Sequence, residues 1–241
     1  MALILNIDTS TEVCSVALAK NGELLHVREN VAGQNHAMLL TIFVKEVLEE
    51  ANITVDQLDG LAVSGGPGSY TGLRIGVSVA KGICYASNIP LITLSSLESM
   101  ANQVRNYHVP SSLRDTEQLL FCPMIDARRM EVYTSFYNLK GELIRDIQAD
   151  IIDHQSYTSF LESNKVIFFG NGSAKCRESI THSNAIFLTD IITSATHLIP
   201  LSEKNFKLNN FADTAYYEPF YLKDFVATTP VKNIFKGNGD Q

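Results

Sequence analysis

The chain repeats itself, and that repeat limits its possible folds more than any other feature of the sequence. Ile7-Asp8, Glu12-Val13 and Gly22-Glu23-Leu24-Leu25 recur in order as Ile125-Asp126, Glu131-Val132 and Gly141-Glu142-Leu143-Ile144, with one inserted residue keeping them in register. Self-similarity at this separation means that one structural unit occurs twice, so the fold is sought for the unit and then doubled.

The first copy is the easier to read. Leu3–Ile7 is nearly all apolar, as a strand buried on both faces requires. Val13–Ala19 and Glu23–Glu29 follow as strands, joined at Asn21-Gly22, a pair suited to a two-residue hairpin turn. A helix is expected over 34–51, where Ala37, Leu40, Phe43, Val44, Val47, Leu48 and Ala51 share one face. Then come a strand at Leu61–Ser64, a glycine-rich loop, a helix over Thr71–Ser87 and a strand at Leu91–Leu94. A helix over Ser96–Val104, capped by Ser95, closes the copy. After a polar stretch near 106–118, the second copy predicts a helix near Ser156–Glu162 and a strand at Val166–Phe169. There Gly170-Asn171-Gly172 leads towards another helix. Two βββαβα units in one α/β chain are the plan of the actin-like, sugar-kinase and Hsp70-type ATPase folds, which share a ribonuclease H-like unit. In those folds ligands lie between the halves. The expected division is 1–104, 105–228 and a polar tail at 229–241.

Composition excludes several functions. A net charge of −7 over 241 residues, with 19% charged, argues against an unaided grip on nucleic acid, which needs clustered Lys and Arg. Cys14, Cys84, Cys122 and Cys176 are scattered, without CxxC pairs, and read as reduced thiols of a cytoplasmic protein. No segment approaches the roughly 18 apolar residues of a membrane span. The histidines form no pair at i+3 or i+4; the position four after His36 is Leu40, so no metal site is expected. No Gly-x-Ser-x-Gly elbow is present, which leaves no nucleophile to propose.

Three features could carry function. Ser64-Gly65-Gly66-Pro67-Gly68-Ser69-Tyr70-Thr71-Gly72-Leu73-Arg74 leaves a strand and enters a helix, where glycines admit close backbone approach and free N–H groups could meet an anion. It is neither a Walker loop nor a GxGxxG fingerprint. With it, Asp8, Thr9, Ser10, Gly66, Gly68 and Asp126 are the nucleotide-facing candidates. The following helix is apolar on most sides and is expected to be buried all round, and its stripe Gly72, Gly76, Ala80 offers close approach either to the chain's own packing or to a partner helix. Met38, Leu39 and Ile42, beside His36, lie off the core face of the first helix as a surplus apolar side, the pattern of a protein–protein patch.

These residues resemble the TsaB (YeaZ) family over nearly the whole chain. The likeness rests on Ile7-Asp8-Thr9-Ser10-Thr11 with Cys14-Ser15-Val16-Ala17-Leu18, and on Gly66 through Gly76. It continues in Ile125-Asp126-Ala127-Arg128 with Glu131-Val132-Tyr133, and in Glu218-Pro219-Phe220-Tyr221-Leu222. The resemblance implies an actin-like fold and a non-catalytic scaffold role in making threonylcarbamoyladenosine at position 37 of tRNAs that read codons beginning with A. The implied partners are the metal-carrying transferase TsaD, the ATPase TsaE and a second copy of the chain through the same helical face, with tRNA met only inside the complex. No cofactor is required, although weak ATP or ADP binding is compatible with the fold. The competing expectations are an actin-like ATPase or kinase acting alone and, further off, a metalloprotease.

Overall fold

The computed structural model describes residues 2–33, 35–113, 116 and 118–222. Gln34, where the first helix was expected to begin, and the tail expected at 229–241 lie outside the described residues.

The repeat is an architectural one. β1 (Leu3–Asp8), β2 (Cys14–Lys20) and β3 (Glu23–Asn30) form an antiparallel meander, and β4 (Gly60–Gly66) and β5 (Leu91–Ser95) add in parallel beside β1. The order is β3-β2-β1-β4-β5. The second sheet repeats it as β8-β7-β6-β9-β10, from β6 (Leu119–Asp126), β7 (Glu131–Asn138), β8 (Leu143–Ile151), β9 (Lys165–Phe169) and β10 (Ala185–Phe187). This is the duplicated actin-like α/β plan. At Asn21-Gly22 both residues hold positive φ, 56° and 81°, the pairing that matches a hairpin turn to strand twist.

α1 (His36–Glu50) and α2 (Tyr70–Ser87) cover one face of the first sheet. Leu40, Val44, Val47 and Leu48 of the one and Val77, Ala80 and Cys84 of the other pack with Leu5, Ile7, Val16, Leu61 and Val63. Ala37, expected on that face, is exposed because it lies a turn before the helix reaches the sheet. Ser69 caps α2 by accepting from the Gly72 N–H at 3.3 Å, and Asn88 ends it in left-handed backbone. α3 (Ser96–Gln103) is capped by Ser95, as expected, and packs with Phe121, Ile125 and Ile167 of the second sheet. α5 (Ile199–Lys207), unforeseen in the sequence, closes the opposite face of the first sheet, where Leu198 and Leu201 meet Ile4, Ala62 and Ile92. Each sheet is thus covered in part by a helix from the other half of the sequence.

Two expectations about helices need correcting. α2 is not buried all round: Arg74, Ser78, Gly82 and Tyr85 face solvent. The second copy is also trimmed, with α4 (Thr158–Leu161) reduced to one turn and the helix expected after Gly172 reduced to a 3₁₀ turn at Ala174–Cys176. Within that turn Lys175 is bonded back onto Asp126 and the carbonyls of Arg129 and Glu131.

Candidate functional site

The glycine-rich loop is where the candidate residues converge, and it is closed by the chain's own backbone. Thr9 and Ser10, in the β1–β2 turn, are fully buried. The Thr9 hydroxyl donates to the Gly72 carbonyl at 2.8 Å, and the Ser69 N–H donates to the Ser10 carbonyl at 2.7 Å. A Cβ on Gly68 would stand 2.2 Å from the Ser10 carbonyl oxygen, one on Gly72 2.2 Å from that of Thr9, and one on Gly76 2.3 Å from the Thr9 hydroxyl. These glycines are needed so that the turn can lie against the loop and α2. The expectation of a partner stripe at Gly72, Gly76 and Ala80 is therefore corrected: all three are buried inside the chain, and the close approach they allow is to Thr9 and the sheet.

The other side of the loop is filled as well. The segment after Ala212, which bridges to Leu91 at the sheet edge, returns as a strap across α2. The Phe220 N–H donates to the Gly65 carbonyl at 2.8 Å; a Cβ on Gly65 would stand 2.0 Å from the Tyr217 hydroxyl, and one on Gly66 2.9 Å from the Phe220 carbonyl. A side chain on Gly66 or Gly68 would thus run into the chain's own backbone. Nothing in the composition of the loop reveals this cover; the cue was the Glu218–Leu222 motif, whose role the sequence leaves open.

The two aspartates at matching positions share a local geometry and differ in surroundings. Asp8 Oδ1 accepts from the Ser10 N–H at 2.8 Å and hydroxyl at 2.7 Å, and Asp126 Oδ1 accepts from the Arg128 N–H at 2.8 Å, the same turn in both copies. Asp8 is buried, and burial pushes its carboxyl up to about 6 against the pull of the Ser10 bonds. Asp126 is exposed and ion-paired to Lys175. Asn171, missed in the sequence as a contact residue, joins the halves: its carbonyl oxygen accepts from the Asp126 N–H at 3.0 Å and its amide donates to Glu12 at 2.8 Å. Thr11 and Thr193 add a second tie at 2.6 Å.

The helical face is open. Met38 is 71% exposed and Ile42 48%, one turn apart on α1, with Leu39 half-buried beside them. His36 opens the helix, half-buried, with Nε2 3.1 Å from the Val13 carbonyl. Among the described residues no three His, Cys, Asp or Glu side chains are grouped to hold a metal, and no helix is long and apolar enough to cross a membrane.

Known proteins can now be set beside this geometry. The family model described as TsaD, tRNA N6-adenosine threonylcarbamoyltransferase, matches residues 27–231. The tRNA threonylcarbamoyladenosine biosynthesis protein TsaB of Bacillus subtilis is 30% identical, over 73% of this chain and 74% of its own length. The chain belongs to the TsaB (YeaZ) family. The TsaB of Haemophilus influenzae is 27% identical over 92% of this chain and 94% of its own. The solved structure of YeaZ from Pseudomonas aeruginosa superposes with a TM-score of 0.77 at 26% identity, covering 92% of this chain and all of that one.

Proposed function

We propose that the chain serves tRNA threonylcarbamoyladenosine biosynthesis as a non-catalytic subunit that docks on a TsaD-like transferase. The observation that supports this reading is the tight packing of the glycine-rich loop, where Ser10, Thr9, Tyr217 and Phe220 stand within 3 Å of where a glycine's side chain would begin. The fold is that of an actin-like ATPase, and the tight packing at that loop supports a role other than nucleotide turnover. An ATPase or kinase acting alone is correspondingly disfavoured, and the chain needs no cofactor of its own; any ATP or ADP is held weakly. The docking face is the exposed apolar side of α1, with Met38, Leu39 and Ile42, and a second copy uses the same face when the transferase is absent. A TsaE-like ATPase joins the pair in the cytoplasm.

Such a subunit works by differential affinity, stabilising the transferase conformation it binds best. Met38→Glu with Ile42→Glu places two carboxylates on the docking face without touching the core. The double variant is expected to keep its far-ultraviolet circular dichroism and to lose co-purification with the transferase. Undiminished capture of the transferase would refute the assignment.

A further inference from the structure

A second surface stands out on α2, away from Met38 and Ile42. Arg74, Ser78 and Lys81 line a cleft of about 260 Å³ between the helix and the strap, facing Tyr217, Glu218 and Tyr221. α2 carries no acidic residue along its whole length, in a chain of net charge −7. Five of the nine tyrosines, Tyr70, Tyr85, Tyr216, Tyr217 and Tyr221, lie on this helix or the strap across it, and Tyr85 and Tyr216 are 86% and 85% exposed. Tyr85 follows Lys81 by one turn of α2, and Tyr216 lies between Ala215 and Tyr217, whose carbonyls accept from Lys81, so both exposed rings stand near that ammonium at the cleft's end.

The cations are held in place and, among the described residues, keep donors to spare. The Arg74 guanidinium lies 4.1 Å from the Tyr70 ring centroid and 5.7 Å from that of Tyr221, and its Nε donates to the Tyr221 hydroxyl at 3.1 Å. A guanidinium has five N–H donors, and this bond takes one. Lys81 donates to the carbonyls of Ala215 and Tyr217 at 3.1 and 2.9 Å, two of the three bonds an ammonium can make. Arg74 and Lys81 are seven residues apart, about 10 Å along the axis. One phosphate cannot bridge that span; neighbouring phosphates of a strand can each take one end. Among the described residues Glu218 is the one carboxylate lining the cleft, and it sets a limit on how tightly an anion is held.

We infer that this tyrosine-rimmed cleft takes a short single-stranded segment of RNA, with phosphates at Arg74 and Lys81 and bases stacked on the exposed tyrosines. Stacking on aromatic rings beside a basic groove is the general mode for single strands and needs no base-specific contact. The inference rests on the tRNA pathway proposed above and adds a direct contact between this chain and the nucleic acid, which the acidic composition taken alone argues against.

The test is fluorescence anisotropy of a labelled 12-nucleotide single-stranded RNA titrated with the full-length chain between 50 and 200 mM salt. Two phosphate contacts predict a log–log salt slope of about −1.4, roughly sevenfold weaker binding over that range. Glu218→Gln removes the opposing charge and is expected to tighten binding several-fold, a gain that misfolding cannot imitate. Ser78→Glu, which removes no hydrogen bond of the strap, is expected to weaken it about tenfold. Millimolar AMP is expected not to displace the RNA. Absence of RNA binding by both the wild type and Glu218→Gln, a flat salt response, or displacement by AMP would each overturn the inference. RNA binding is read on the isolated chain and docking on the pair, so either reading can fail while the other stands.

Discussion

Two glycines on the same helix put the packing argument to a direct test. Gly72→Ala would place a methyl group 2.2 Å from the Thr9 carbonyl oxygen, more than 1 Å inside the 3.4 Å at which ordinary contact begins. The obstructing atom is backbone, and both it and Gly72 are buried, so neither can step aside cheaply. Overpacking of this kind costs about 1–3 kcal/mol. The Thr9–Gly72 hydrogen bond, 2.8 Å long, is lost with the displacement, for about 1 kcal/mol more. The alanine's better helix propensity returns at most about 1 kcal/mol. The net is a destabilisation of roughly 2–3 kcal/mol, or about 5–10 °C in Tm at this chain length. Gly82→Ala is the control. A Cβ there meets nothing within 4 Å, so the same substitution ten residues along keeps only the propensity gain, about 0.5–1 kcal/mol, and raises Tm by about 1–4 °C. Thermal unfolding followed by circular dichroism reads both. Shifts of the same sign, or a Gly72→Ala protein as stable as the wild type, would refute the claim that α2 is glycine-rich to admit the β1–β2 turn.

Two further outcomes follow from buried charge. Burial raises the Asp8 carboxyl from 3.8 to about 6, so the folded state binds the proton more tightly than the unfolded chain. Its contribution is complete below pH 3.8 and lost as pH rises through 6, a difference of roughly 3 kcal/mol. Asp8→Asn keeps an acceptor for Ser10 without the charge and is expected to raise Tm at pH 7.5; a lower Tm there would contradict the assignment. The Arg145–Asp150 pair, 2.7 Å apart and with both side chains under one-fifth exposed, also accepts the Tyr157 hydroxyl at 2.7 Å. Asp150→Ala leaves an uncompensated guanidinium and is expected to cost about 3 kcal/mol in urea unfolding. A loss below about 1 kcal/mol would mean that solvent screens the pair.

The architecture was legible because it is written in local signals that occur twice. Ile-Asp at a strand end and a Gly-Glu turn recur at matching distances, and the sheets recur with them in the same strand order. What escaped the sequence depends on contacts across long separations. Whether Gly72 and Gly76 make room for a partner or for the chain itself is decided by Thr9, more than sixty residues earlier. Lys175, in the turn found where a helix was expected, reaches back nearly fifty residues to Asp126, a contact no local pattern announces. The cover on Gly65 and Gly66 arrives from Tyr217 and Phe220, about 150 residues later. Met38 and Ile42, by contrast, were readable as exposed because helical spacing alone separates them from Leu40, Val44 and Val47.

The strap has a consequence for how this molecule comes apart. α2 is gripped on its inner side by the start of the chain and on its outer side by residues 215–221, so two stretches distant in sequence share one helix as a splint. Local opening of that helix must release both together, and a ligand that fastens the strap slows the fraying of a turn it never touches.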